Sequence, residues 1–171
     1  PIGVGVLSAA LKKNELAPDG YAEMIANTTR LNTPGPELAA LPGVHALTDV
    51  TGFALAGHAL ELARGAHLTT RIDWPAVPLL PGVRDLAARG IVTGASGRNW
   101  AAYGAEVALP AGFSDPDRAL LSDPQTSGGL LVACAPDTLD AVLATFARHG
   151  FGHAGVVGEV LPRGPHALVV G

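Results

Sequence analysis

A carboxylate, two threonines and a glycine stand together in "TDVTGF", Thr48 to Phe53, immediately ahead of an apolar run at helical spacing. If a strand ends at Leu47 or Thr48 and a helix begins near Thr51, Asp49 lies at the positive end of the helix dipole. It is then beside backbone N–H groups that have no intrahelical acceptor. Asp49 or Thr51 can cap such a helix, and on residue type alone that is the first reading, because Asp and Thr are common caps. The same place also favours an ionised carboxylate next to phosphate oxygens. Mg²⁺ takes few protein carboxylates and completes its shell with water and substrate phosphates, so one Asp there suffices for part of a metal site.

Two further segments carry polar residues in suggestive company. "SDPQTSGGLL" places an Asp123-Pro124 turn and the Ser127-Gly128-Gly129 backbone at the mouth of an apolar strand. Paired glycines let a backbone approach a ligand closely, and they equally permit a tight turn, which is the first reading of residues 123–129. "TGASGRNW", Thr93 to Trp100, reads as a solvated glycine loop in which Arg98 is available to an oxyanion. No GxxxxGK[ST] or GxGxxG occurs, nor HExxH or paired-Cys spacing, so the common phosphate-loop, dinucleotide and zinc motifs are missing. Cys134 is the single cysteine, set in the apolar "GLLVACA"; it forms no internal disulfide and reads as a buried, inert thiol. His58 and the other histidines read as packing or surface residues.

The elements that must position these segments follow from pattern. "VGVLSAALKKNEL" suggests a short helix, and "DGYAEMIANTTRLN" a second one capped by Asp19 with Tyr21, Met24, Ile25 and Thr28 on one face. "VHALTDV" is a strand; a helix from Thr51 to Arg64 turns Phe53, Leu55, Ala56, Ala59, Leu60 and Ala63 inward and stops at Gly65. "HLTTRIDW" and "GLLVACA" are strands, "GVRDLAARG" a short helix, and "DRALLSDPQTSGG" opens on a helical turn. "PDTLDAVLATFARHG" is a helix ended by Gly150. "GVVGEVLPRGPHALVVG" reads as a hairpin, so the expected fold is an α+β layered sandwich with a mixed β-sheet flanked by helices.

Composition narrows the function classes. Hydrophobic residues make up 48% of the 171 and charged residues 15%, with a formal net charge of -4, as expected of a well-buried globular domain. The basic residues are scattered and form no stripe for a phosphate backbone, which argues against nucleic acid as a partner. No apolar run approaches membrane-spanning length and no signal peptide opens the chain, so no membrane partner and a cytoplasmic location are expected. The start at Pro1 lacks an initiator Met and is taken as that of a piece of a longer chain. Residues 1–171 are expected to form one domain, with 1–40 as a helical arm on a preceding domain.

In this order, "PIGVGVLSAALKK", "ALTDVTGFALAGH", "GIVTGASGRN", "LLSDPQTSGGLLVA" and "VVGEV" resemble the C-terminal half of the selenophosphate synthetase (selenide, water dikinase) family, over nearly the whole chain. The resemblance implies the C-terminal domain fold of the aminoimidazole ribonucleotide synthetase superfamily. It also implies a phosphotransferase that makes selenophosphate, AMP and phosphate from selenide, ATP and water. Asp49 matches the family position that helps bind Mg²⁺ on the ATP phosphates. Thr48, Thr51 and Gly52 would set its position, with a phosphate contact from their backbone.

The family's reactive Cys or selenocysteine, its neighbouring Lys and its other metal-binding aspartates belong to an N-terminal half that would precede Pro1. The resemblance therefore places no catalytic residue in this chain, predicts it to be inactive alone, and implies a homodimer when full length. Ala54 departs from a glycine usual after the Phe, a change expected to matter little inside a helix. "GASGRN" departs from a Gly-Gly-Thr loop and carries no ligand role onto Ser96 or Asn99. Aminoimidazole ribonucleotide synthetase, thiamine-monophosphate kinase and a hydrogenase-maturation dehydratase share the architecture, but the joint "TDVTGF" and "DPQTSGG" separates this pattern from theirs. An interaction module without chemistry is the alternative of a different class, and exposed apolar surface on "PIGVGVLSAAL" would favour it.

Overall fold

A computed structural model describes residues 1–171. In chain order the elements are α1 (Val4–Lys12), α2 (Pro18–Thr28), α3 (Gly35–Ala39), β1 (Val44–Asp49), α4 (Ala54–Ala66), β2 (Thr69–Ile72), α5 (Val83–Ala88), α6 (Gly94–Tyr103), β3 (Val107–Ala108), α7 (Asp115–Leu121), β4 (Leu130–Cys134), α8 (Leu139–Arg148), β5 (Gly158–Leu161) and β6 (Leu168–Val170). The α+β architecture with a mixed sheet flanked by helices is present. The strands form two sheets where one was expected: an antiparallel pair of β1 with β4, and a four-stranded sheet in the order β3-β6-β2-β5.

The expected hairpin of β5 and β6 does not form. β2 lies between them, antiparallel to β5 and parallel to β6, while β3 adds to β6 in parallel. Residues 162–167 are enough chain to step across one strand, and doing so buries Leu168 and Val170 of β6 in the main core. In the small sheet, Asp49 lies opposite Leu130 and Leu47 opposite Val132. This register ties the end of "TDVTGF" to the end of "DPQTSGGLL".

One apolar cluster of 27 buried residues runs from α1 and α4 to the four-stranded sheet. A smaller one, Leu38, Val142 and Phe146, lies under the β1–β4 pair. The first helix is built into this domain: Ile2, Val4, Val6, Leu7 and Ala10 belong to the main core, with Val6 fully buried. Of the large apolar side chains at this start, whose exposure would favour a mere interaction module, Leu11 alone is exposed, at 41%. α2 differs, because Met24 alone is buried while Tyr21 and Ile25 remain 47% and 40% exposed. Its first helical residue is Pro18, preceded by Ala17, so Asp19 lies in the first turn and is not the cap. No helix is long and apolar enough to cross a membrane.

Three local expectations are corrected. α4 starts at Ala54, with Phe53 outside it and 59% exposed, so Thr51 and Gly52 lie in a turn. It stops at His67, whose left-handed φ of 55° does what Gly65 was expected to do. Residues 94–103 are helical: Thr93 accepts the Ser96 amide at 3.1 Å, and buried Ser96 and Tyr103 fix the inner face. Glycine content alone argued for a loop; a cap and tertiary packing outweigh that propensity.

Candidate functional site

Asp49 ends β1 with its side chain exposed, and it makes no side-chain hydrogen bond or ion pair. Neither Asp49 nor Thr51 caps α4, since no side chain bonds the first amides of that helix. The backbone around Asp49 is held firmly all the same. The Val50 amide donates to Gly129 O at 2.8 Å, and the Gln125 amide donates to Thr51 O at 3.0 Å. Gly128 has to be glycine here, because any Cβ would collide with the Val50 carbonyl.

The other residues of the turn are each engaged. Thr48 Oγ1 donates to Asp49 O at 3.2 Å. Thr51 Oγ1 lies 3.2 Å from His58 Nε2, and His58 Nδ1 lies 2.9 Å from Glu61 Oε2. With Nδ1–H donating to the Glu61 carboxylate, Nε2 accepts the threonine hydroxyl. His58 is only 6% exposed, so what read as a packing residue also orients Thr51. Gly52 is exposed, and its carbonyl accepts from Asn99 Nδ2 at 2.9 Å. No group of three or more His, Cys, Asp or Glu side chains gathers anywhere to hold a metal. At this turn the chain offers a hard cation a single carboxylate on a rigid backbone, too few ligands for a self-sufficient site.

α6 joins the three segments. Asn99 Nδ2 also donates to Ser122 O at 3.2 Å, and Tyr103 donates its hydroxyl to Phe53 O at 3.0 Å. Burial pushes the Tyr103 phenol up, which keeps it protonated as that donor. Arg98, one residue before Asn99, is exposed and lies outside this network.

The "SDPQTSGG" segment performs a task that residue type alone concealed. α1 begins after Gly3, which has no side chain to cap it. Asp123 Oδ2 accepts the Gly5 and Val6 amides at 2.9 and 3.3 Å, and Gln125 Oε1 accepts those of Gly3 and Val4 at 3.0 and 3.2 Å. Gln125 Nε2 donates back to Asp123 Oδ2 at 3.0 Å. Asp123 is fully buried with Oδ1 unpartnered, and burial raises its pKa from 3.8 to about 7 against the pull of those donors. The available signal was an uncapped helix start at Gly3 whose amides had to find acceptors elsewhere. Cys134 is half-buried, and burial followed by Asp137 pushes its thiol up, which agrees with an inert cysteine.

The match to AIR synthase related protein, C-terminal domain, covers residues 1–171. The protein named selenide, water dikinase from Burkholderia orbicola (strain MC0-3) is 65% identical over 161 residues, which are 94% of this chain and 46% of that protein. Its namesake from Pseudomonas straminea is 59% identical over 169 residues, 99% of this chain and 47% of the relative. The chain thus spans about half the length of the relatives it matches. Among solved structures, E. coli HypE, a hydrogenase maturation protein, superposes with a TM-score of 0.66 at 20% identity over 98% of this chain and 42% of that one. A HypE solved in complex with ATP gives 0.67 at 17% identity over 99% and 44%. At those identities the structural likeness concerns the fold.

Proposed function

Because the chain belongs to the family of AIR synthase related proteins as their C-terminal domain, we propose that it is the C-terminal part of an ATP-dependent selenide, water dikinase. That enzyme makes selenophosphate, AMP and phosphate, and this half contributes Asp49 to its Mg²⁺ site. The supporting observation is the Asp49 carboxylate: it is exposed and unpaired, on a turn whose neighbouring threonines are both hydrogen-bonded. The names and identities of the relatives supply the substrate class.

In phosphoryl transfer, positioning and charge neutralisation supply most of the rate, so one rigidly held carboxylate matters. Mg²⁺ held in part by Asp49 would neutralise charge on the ATP phosphates. The chain's own contribution is orientation. The β1–β4 register, the Val50–Gly129 bond and Asn99 fix the backbone on which Asp49 stands, and His58 holds the Thr51 hydroxyl. Phosphate contacts from the Thr48, Thr51 and Gly52 backbone belong to the same proposal. The remaining metal ligands and the nucleophile come from the other half of the enzyme, so this chain alone is inactive. The half-exposed face of α2 with Tyr21 and Ile25 is where that half would pack, and the complete enzyme would be a cytoplasmic homodimer.

The test is AMP and phosphate release from ATP by a protein that joins this half to the rest of its relatives' length. Selenide-dependent release supports the proposal. ATP turnover indifferent to selenide would reassign the chain to another ATP-using relative.

A further inference from the structure

The geometry points to a second site in this chain, a phosphate-binding cleft that requires neither Asp49 nor the proposed reaction. A cleft of about 320 Å³ opens between α1, the start of α6 and the 124–126 turn. Lys12 and Arg98 line it together with the hydroxyls of Ser8 and Thr126, and no carboxylate lines it at all.

Arg98 is the one arginine without a partner. Arg64, Arg71, Arg84, Arg89, Arg118 and Arg148 all form ion pairs, while Arg30 and Arg163 donate to the carbonyls of Gly150 and Leu68. In a chain of net charge -4, leaving Arg98 and Lys12 unpaired around one cavity sets that cavity apart. Arg98 folds back over the first turn of α6, where a Cβ on Gly94 would lie 3.3 Å from Nη1. The Gly94 and Ala95 amides there have no protein acceptor, because Thr93 satisfies only that of Ser96. The start of α1 differs, its amides being taken by Asp123 and Gln125. The cleft of about 560 Å³ on the far side of Thr93 differs too, since its Arg118 is paired with Asp115 at 3.1 Å and stacked over Trp100.

A guanidinium fork, an ammonium, two free hydroxyls and two free amides at a helix start are complementary to a tetrahedral dianion bearing several acceptor oxygens. The ligand class is therefore a phosphate group, either free or as the ester of a nucleotide. Both cations are exposed, so binding will weaken as salt rises.

The experiment is an amide-resolved NMR titration of the 171-residue chain with inorganic phosphate and, in parallel, AMP. The expected result is saturable movement of the Gly94, Ala95 and Thr126 amides. Arg98→Ala and Lys12→Ala should each raise Kd by roughly tenfold. Lys13→Ala removes the same charge beside the cleft and should leave Kd nearly unchanged. Saturation by AMP alone, with the same dependence on Arg98, assigns the cleft to an esterified phosphate. Absence of saturation with either probe, or equal weakening by Lys13→Ala, overturns the site in favour of diffuse attraction. Both outcomes are independent of the selenide assay.

Discussion

Asp123 Oδ2 accepts the Gly5 amide at 2.9 Å, so a carboxylate late in the chain caps a helix that opens it. That bond crosses the domain and closes α1 onto the segment that also holds the Asp49 turn. A Cβ at Gly5 would collide with the Asp123 carboxylate, so the two positions are mutually constrained.

The buried carboxyl gives stability a pH dependence of definite sign. Asp123 has a folded pKa of about 7 against an ordinary 3.8. The folded chain therefore binds a proton that the unfolded chain has released between those values, and stability falls as pH rises through that window. Its contribution is complete below about 4 and lost above about 7, with a span of up to about 4 kcal/mol. Asp123→Asn keeps an acceptor for Gly5 but cannot ionise. Urea denaturation at intervals from pH 4 to 8 should show the wild-type advantage over this variant shrinking as pH rises; a constant difference would refute the linkage.

Asn99 is predicted to depend on its amide and not merely on its size. It donates to the Gly52 and Ser122 carbonyls. Asn99→Ala loses these bonds at about 1–2 kcal/mol, whereas Asn99→Asp sets a carboxylate against two carbonyls and costs more, about 2–4 kcal/mol. Denaturation midpoints of the two variants give the order; an aspartate as stable as the alanine would contradict it.

Of the four residues that stand in the left-handed region without being glycine, Asn14, Ala54, His67 and Ser127, two flank the Asp49 turn and its partner segment: Ala54 at φ 65° and Ser127 at φ 49°. Relief of that conformation is worth about 1–2 kcal/mol, and the extra freedom of an unfolded glycine offsets up to about 1 kcal/mol of it. Ser127 is exposed and makes no side-chain hydrogen bond, so Ser127→Gly should stabilise by up to about 1 kcal/mol. Ala54 is fully buried, and losing its methyl costs about 0.8 kcal/mol, so Ala54→Gly should be close to neutral. Thermal unfolding of both variants separates them, and a strongly stabilising Ala54→Gly would show the methyl to be poorly packed.

Much of this was legible from residue type and period. The strand at Leu130–Cys134 and the helix at Leu139–Arg148 follow local pattern, whereas residues 94–103, expected as a loop, are helical. What escaped was non-local. β2 separates β5 from β6 because of burial across the sheet, which no turn residue encodes. The cap on α1 lies far along the chain, and Ala54 was expected inside a helix when it is the strained residue that starts one. His58 shows the same limit, since its spacing puts it on the buried face, while its bonds to Thr51 and Glu61 appear only once the turn is folded.

The most direct measurement is the Mg²⁺ dependence of selenide-stimulated ATP turnover by an enzyme containing this half, wild type against Asp49→Asn. Asp49 is exposed and unbonded, so the variant should unfold at the wild-type temperature. Its turnover should fall by at least on the order of a hundredfold, with a raised Mg²⁺ requirement, since even outer partners of metal ligands cost 10–100-fold. Wild-type turnover at an unchanged Mg²⁺ requirement would contradict Asp49 as a metal ligand.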